Sequence, residues 1–293
     1  VLGLKLQQLV NELNIDIIHC FAINVSRCKR VIRLAFHCKV PLIVSLRGSG
    51  FDVYRNSNFS ALYQSLNCAQ AIVCVTPFYK TILNSQFGID KKVYVIPNSI
   101  EHNGNFKSKL ISRDTTVKLK VGFFGSFRKI SNFHNIAKAF INGGYKVYDL
   151  TVGAYFWPEE REFFEPILKH LQEFPNFNYL GIVERHAIAD KMRECDLTLG
   201  VTLADACPNK VLESLYVGTP CIVTPLQTLK ELYGETNPLI WSKGFSAEAI
   251  NDAILEVSNE PGLLRKLSNE SIAFVNENFN RDKEKDSWKE VYA

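Results

Sequence analysis

The sequence predicts an α/β protein made of two doubly wound domains with parallel sheets, and three observations carry this prediction. Short apolar runs rich in Val and Ile alternate with amphipathic segments, which is typical of parallel strands covered by helices on both faces. A polar stretch near residue 110 interrupts the alternation, which then restarts. At 293 residues, 46% of them hydrophobic, the chain is long enough for two cores rather than one.

The first half contains four candidate strands, IDIIHCF, PLIVSLR, AIVCVTP and KVYVIPN, separated by amphipathic stretches such as NFSALYQSLN and FYKTILNSQFG. Before them, apolar residues follow a helical stripe: Val1, Leu4, Leu6, Leu9, Val10 and Leu13. This pattern starts in mid-course, so we expect that the natural N-terminus is missing. We assign residues 1–103 to an incomplete first domain and residues 104–117 to a linker.

The second half contains six more candidate strands: LKVGFFGS, YDLTVGA, FNYLGIV, DLTLGVT, TPCIVTP and PLIW. Helices are expected at 132–142, 158–173, 186–195, 208–217, 246–257 and 260–275, which together complete a domain over residues 118–275. Residues 276–293 predict a polar helix that carries Trp288, Val291 and Tyr292 and packs back on the first domain. Two such domains facing each other leave a cleft at the carboxyl ends of their strands, where ligands of open α/β sheets bind.

Composition excludes several classes of protein. A net charge of +4 is too small for a dedicated nucleic-acid binder, although it leaves open a weak attraction to anionic membranes. No apolar run reaches the ~18 residues of a membrane span, and no signal segment opens the chain. The eight cysteines form no Cys-x-x-Cys pair and sit mainly in apolar runs, which indicates buried thiols in a reducing cytoplasm. The chain has no Asp-x-Asp pair and its histidines lack ligand spacing, so we predict no metal and no cofactor.

The stretch DACPNKVLESLYVGTPCIV at residues 205–223 combines several features of a ligand site. It follows a candidate strand, and Pro208 suits the first position of a helix because proline lacks the amide hydrogen that this position leaves unused. The next amides, from Asn209, Lys210 and Val211, carry the positive end of the helix dipole toward the cleft, where they suit a diphosphate.

Two acids flank this helix start. Asp205 precedes it and Glu213 lies in its second turn, and carboxylates pair well with vicinal hydroxyls such as those of ribose and sugar rings. A simpler interpretation makes Asp205 a helix cap and Glu213 a solvated surface residue. The spacing alone leaves both interpretations open.

The same stretch resembles the signature of family-4 retaining glycosyltransferases of the GT-B fold, with Pro-Asn and seven residues between two acids, then Gly-x-Pro and an apolar strand. The likeness covers nearly the whole chain. NIDIIHCF, PLIVSLRGSGFDV, AQAIVCVTPFYKTIL and VYVIPNSIE are similar to first-domain segments of that family. VGFFGSFRKISNFHNIAKAF resembles its phosphate loop and FNYLGIVERHAIADKMRECDLTL its loop beside the base.

The resemblance implies roles for individual residues. Glu213 would hold the nucleotide ribose and Asp205 the donor sugar, although the family usually has Glu at the second of these places. Arg47 would be the other catalytic candidate; it replaces a frequent His, and either contacts donor or acceptor or caps its strand with its charge in the cleft. The remaining donor-binding candidates are Gly48, Gly125, Ser126, Arg128, Lys129, Gly181, Val183, Cys207, Pro208, Asn209 and Lys210.

The phosphate loop departs from the family pattern. The family commonly has Arg directly after the glycine, where this chain has Ser126, and we expect Arg128 and Lys129 to supply the charge instead. Leaving-group charge is what such cations stabilise, so this departure bears on catalysis.

The resemblance implies transfer with retained anomeric configuration from a nucleotide-diphosphate sugar to a glycan or lipid-linked acceptor, as in polysaccharide or glycolipid assembly. Since the chain has no Asp-x-Asp pair, we expect this transfer to be metal-independent, in a cytoplasmic protein at the inner face of the membrane. Two alternatives stay open: a non-catalytic GT-B binding or scaffold protein, and a GT-B sugar-nucleotide epimerase. The basic stretch Arg27–Arg30 either touches an anionic membrane or forms a solvated helix face. His19 is the histidine expected to face the cleft.

Overall fold

A computed structural model describes residues 2–21, 33, 36–48, 51, 59–101 and 117–293. Arg27–Arg30 and most of the expected linker lie outside the described residues. The first sheet is parallel throughout, in the order β1-β2-β3-β4. Its strands are β1 (Ile18–Cys20), β2 (Leu42–Leu46), β3 (Ala71–Cys74) and β4 (Val93–Val95), and the helices around it are α1 (Leu2–Glu12), α2 (Phe59–Cys68) and α3 (Pro77–Phe87).

The second sheet is also parallel and contains six strands in the order β10-β9-β8-β5-β6-β7. The strands are β5 (Leu119–Phe127), β6 (Tyr148–Phe156), β7 (Phe177–Gly181), β8 (Leu197–Gly200), β9 (Cys221–Val223) and β10 (Ile240–Trp241). The helices are α4 (Phe133–Ile141), α5 (Arg161–Leu171), α6 (Ile188–Glu194), α7 (Asn209–Tyr216), α8 (Gln227–Tyr233), α9 (Ala247–Ser258), α10 (Pro261–Asn278) and α11 (Arg281–Tyr292). The strand order reverses between β5 and β8, and such a switch point opens a crevice for ligands.

An aromatic core anchors the strand that leads into this crevice. Phe127, the last residue of β5, is fully buried, with its ring centroid 4.7 Å from that of Phe133 and 4.8 Å from that of Phe156. Phe164 closes the cluster from α5. Buried aromatic side chains contribute large apolar areas with defined geometry, so the loop after β5 starts from a rigid point.

The two sheets share a continuous core. One cluster of buried apolar residues joins first-domain side chains such as Leu83 to second-domain side chains such as Leu229 of α8. At the other side, α11 lies against the first sheet, where Val291 packs with Ile43 and Val73. No helix in the described part of the chain is both long and apolar enough to cross a bilayer.

The prediction of two parallel α/β sheets is confirmed, and each of the ten candidate strands is found. One local expectation was wrong, and one helix was missed. Pro208 is not the first helical residue but the N-cap of α7, with φ −72° and ψ 115°, so the helix begins at Asn209. The short helix α8 was not predicted. The domain boundaries stay a prediction.

Candidate functional site

Two adjacent cavities lie at the carboxyl ends of the second-sheet strands. The smaller, of about 180 Å³, has a largely apolar lining that includes Gly125 and Val183. The larger, of about 610 Å³, opens between the domains, with Ser99 on one side and Arg185 on the other. Glu213 of α7 lines both cavities. The sequence-predicted acid therefore stands where the two cavities meet.

The first turn of α7 presents two free amide groups. Val211 donates its amide hydrogen to the Pro208 carbonyl at 3.0 Å, so the expectation that this amide is available was wrong. The amides of Asn209 and Lys210 donate to no acceptor among the described residues. The positive end of the helix dipole is thus concentrated on these two groups.

The carboxylate of Glu213 is half-buried. Burial raises its pKa, while the nearby Arg185 guanidinium lowers it. Glu213 forms no ion pair within 4 Å among the described residues, and a partly desolvated carboxylate of this kind favours donors such as ligand hydroxyl groups.

Asp205 lies in the turn before α7 and does not cap that helix, whose N-cap is Pro208; its role toward a donor sugar stays a prediction. Its Oδ1 accepts the amide hydrogens of Ala206 at 2.7 Å and Cys207 at 3.3 Å, which orders the turn before α7. Burial raises the pKa of this carboxyl, and the charges of Lys210 and Arg128 lower it. Lys210 in turn has a pKa lowered by burial and raised by Asp205. Asp205, Lys210 and Arg128 therefore form one electrostatically coupled group.

The two loop cations after β5 point to different neighbours. The guanidinium of Arg128 stacks 4.6 Å from the Trp157 ring centroid, and its Nε is buried without a partner among the described residues. The ammonium of Lys129 lies 4.8 Å from the Phe163 ring centroid, and burial, followed by the charge of Lys129, lowers the pKa of His134. Arg128 is thus the loop cation that acts on Asp205.

The other expected donor-binding residues lie at strand ends and before the start of α7. Ser126 lies beside Tyr155 in the β5–β6 register, and Gly181 ends β7. The Cys207 side chain is buried, which raises the pKa of its thiol to about 12, so a ligand would meet its backbone rather than its sulfur. Pro208 is buried directly after it.

The sequence matches two family models, Glycosyltransferase Family 4 over residues 2–103 and Glycosyl transferases group 1 over residues 112–274. The second match alone covers more than half of the chain. This chain belongs to the glycosyl transferases group 1 family. A comparison with curated protein sequences gave no match.

Solved structures show that this glycosyltransferase has the GT-B fold. HepE from Anabaena, solved in complex with UDP-glucose, is 15% identical to this chain with a TM-score of 0.81. The match covers 99% of this chain and 81% of HepE. Sucrose-phosphate synthase from Thermosynechococcus elongatus is 12% identical with a TM-score of 0.83, and the match covers 99% of this chain and 76% of the synthase. A glycosyltransferase from Rickettsia africae is 13% identical with a TM-score of 0.76, and the match covers 99% of this chain and 79% of the Rickettsia protein.

In this glycosyltransferase Arg47 forms polar contacts with two side chains of the described residues. Its Nη1 donates to Asn98 Oδ1 at 2.8 Å, and its Nη2 lies 3.3 Å from Glu284 Oε1 of α11. Asn98 also donates from Nδ2 to the Cys207 carbonyl and to Asn209 Oδ1, each at 2.8 Å. Gly48 turns the chain away after Arg47 with φ +67°, a conformation that favours glycine. Sequence reasoning missed Asn98 and Glu284 as members of the site.

His19 lies beside Arg47 in an aromatic cluster with Phe21, Trp288 and Tyr292. Its Nδ1 is 2.6 Å from the Tyr292 hydroxyl and its Nε2 is 2.7 Å from that of Ser45. Burial, followed by the charge of Arg47, lowers its pKa to about 4. His19 is therefore neutral at pH 7.

No group of three or more His, Cys, Asp or Glu side chains in the described ranges is arranged to hold a metal ion. Metal independence of the reaction stays a prediction.

Proposed function

We propose that the chain is a retaining glycosyltransferase that moves a sugar from a nucleoside diphosphate sugar to a hydroxyl group of a glycan or lipid-linked acceptor. The observation that carries this proposal is the position of Glu213, which lines both cavities one turn along α7 from the free amides of Asn209 and Lys210. The structural relative HepE was solved with UDP-glucose, which supports a donor of this class. The expected setting is the cytoplasmic face of a membrane, where a lipid-linked acceptor is presented.

Each part of the donor has a chemically suitable neighbour. Glu213 accepts hydrogen bonds from the two ribose hydroxyls. The diphosphate is surrounded by the free amides of α7 and by the side chains of Lys210 and Arg128. Asp205, on the other side of the α7 start, accepts hydroxyls of the sugar. The apolar wall of the smaller cavity, which includes Val183, takes the flat base.

The reaction breaks the bond between the sugar C1 and the diphosphate oxygen and forms a bond from C1 to the acceptor oxygen on the same face. The acceptor hydroxyl proton passes to the departing diphosphate. The protein supplies orientation of both substrates and positive charge for the leaving group, and no protein nucleophile, metal or cofactor takes part.

A thermal-shift panel tests the donor site. UDP, GDP, ADP and their sugar conjugates are each added to wild type, Glu213→Ala and the control Glu184→Ala, an exposed acid on the rim of the larger cavity. A ligand that binds the folded state raises the unfolding midpoint. We expect one nucleotide series to raise the midpoint of wild type and of Glu184→Ala but not that of Glu213→Ala. The rise should persist when EDTA is added. The absence of any shift in wild type would contradict the proposal.

One observation supports a second candidate, a binding protein without transferase activity. Ser126 brings no charge to the phosphate loop, and Arg128 is held against Trp157. Incubation of the bound nucleotide-sugar with glycan and lipid-linked acceptors separates the two functions. Transfer with retained anomeric configuration, observed by NMR, supports the enzyme; tight binding without turnover supports the second candidate.

A further inference from the structure

A polar network connects the C-terminal helix to the start of α7. We call it the Arg47 network; it consists of Arg47 at the end of β2, Asn98 and Ser99 after β4, and Glu284 of α11. Glu284 Oε1 accepts from Arg47 Nη2 at 3.3 Å and from Trp288 Nε1 at 3.2 Å. Glu284 Oε2 accepts from the Ser99 hydroxyl. Both carboxylate oxygens are therefore engaged.

The ion pair in this network is more shielded than the other pairs on α11. The side chains of Arg47 and Glu284 are 26% and 22% exposed, whereas those of Lys289 and Asp286 are 78% and 71% exposed. Exposed pairs are screened by water and salt, and shielded pairs much less so. Removal of the Glu284 charge would leave Arg47 partly desolvated without its counter-ion.

Arg47 determines which way the Asn98 side chain faces. A guanidinium can only donate hydrogen bonds, so the atom of Asn98 next to Arg47 Nη1 has to be the carbonyl oxygen Oδ1. The amide nitrogen Nδ2 is then directed at the Cys207 carbonyl and at Asn209 Oδ1. Both of its hydrogens are used: one holds the turn before α7 and the other holds the first residue of that helix.

We propose that Glu284 is a positioning residue for the donor site. It fixes Arg47, Arg47 orients Asn98, and Asn98 holds the turn from which the Asn209 and Lys210 amides face the cleft. The C-terminal helix thereby sets the geometry of a phosphate-binding turn on the other domain. This inference rests on the proposed function only in taking the ligand as a nucleoside diphosphate.

The first test replaces Glu284 by Gln, which keeps the shape of the side chain and removes its charge. Wild type and variant are titrated with UDP, GDP and ADP below their unfolding temperatures. We expect five- to tenfold weaker binding of the nucleotide that wild type prefers. Asp286→Asn is the matched control, since it removes an exposed charge from the same helix, and we expect wild-type affinity. Equal affinities of Glu284→Gln and Asp286→Asn would overturn the proposal.

A double-mutant cycle separates positioning from a general structural effect. If Glu284 acts through Arg47, the double variant Arg47→Gln, Glu284→Gln binds no more weakly than Arg47→Gln alone. If the two residues contributed independently, the fold-losses in affinity of the two single variants would multiply in the double variant. That result would contradict the proposed chain of contacts.

Hydrogen–deuterium exchange without nucleotide supplies a readout that does not depend on the ligand. We expect the hydrogen-bonded amides of Cys207 and Val211 to exchange faster in Glu284→Gln and at the wild-type rate in Asp286→Asn. Unchanged exchange in Glu284→Gln would overturn the positioning role even if nucleotide binds. If wild type binds none of the three nucleotides, the proposed function fails, and the exchange result alone decides whether Glu284 orders this turn.

Discussion

The hydroxyl of Thr76 donates a hydrogen bond to the backbone carbonyl of Thr228 across the domain interface, at 2.9 Å and in full burial. The hydroxyl of Thr228 then donates to the backbone carbonyl of Asp205 at 2.5 Å. Thr76 is also the N-cap residue of α3, but its side chain does not cap that helix. The hydroxyl that sequence rules assign to a helix end instead joins the first domain to the Asp205 turn.

Replacement of Thr76 by Val is expected to lower the free energy of unfolding by about 1–3 kcal/mol. Valine has nearly the same shape, but it leaves the buried Thr228 carbonyl without its donor. Thr81→Val is the control, because that hydroxyl is exposed and bonds within its own helix, at 3.3 Å to Pro77. We expect the control to change stability by less than ~0.5 kcal/mol. Denaturant midpoints measure both; equal losses would contradict the interface role.

The sequence was a good guide to the strands because each is a short apolar run bounded by polar or turn residues. In β2, for example, all five residues are buried, as the run PLIVSLR predicts. The helix α8 was missed because its seven residues span only two turns, too few for a 3.6-residue period to stand out.

The candidate site residues differ in how easily the sequence reveals them. Asp205, Lys210 and Glu213 could be named as candidates because they lie within nine residues of one another on a strand–turn–helix unit. Glu284 was not found, because it lies 237 residues from its partner Arg47, in the charged run RDKEKD where one acid resembles the next. Only the packing of α11 against the first sheet distinguishes it.

The two cations of the β5 loop are expected to differ in their contribution to nucleotide binding. Arg128→Gln should weaken diphosphate binding about tenfold, because its buried Nε has no partner among the described residues and charge-assisted hydrogen bonds are worth ~1.5–3 kcal/mol. Lys129→Gln should weaken it less than about twofold, because the ammonium lies over Phe163 and is exposed to solvent. Calorimetric titration of both variants checks this. A larger loss in Lys129→Gln would assign the phosphate contact to the other cation.

The end of β8 has no room for a side chain larger than glycine. A Cβ atom at Gly200 would lie 2.6 Å from Val211 Cγ2 of α7 and 3.1 Å from Cys221 Sγ. Gly200→Ala is therefore expected to cost about 1–3 kcal/mol of stability through overpacking. Gly262→Ala is the opposite case, since nothing lies within 4 Å of a Cβ there and the position is helical, so we expect a gain of ~0.5–1 kcal/mol. Denaturation midpoints of Gly200→Ala and Gly262→Ala that shift in the same direction from wild type would refute the steric argument.

His19 is expected to make the protein less stable in mild acid. Its pKa is lowered from 6.5 to about 4 in the folded chain, so between these values the unfolded chain binds a proton that the folded chain does not. Stability is then lost as pH falls from about 6.5 to about 4. His19→Gln removes this titration, and we expect the stability advantage of wild type over the variant to shrink by about 1 kcal/mol between pH 7.5 and pH 5, a figure reduced for the half-buried position of the ring. Unfolding curves at four pH values decide the matter, because a pH-independent gap for His19→Gln would mean that the ring takes up a proton equally in both states.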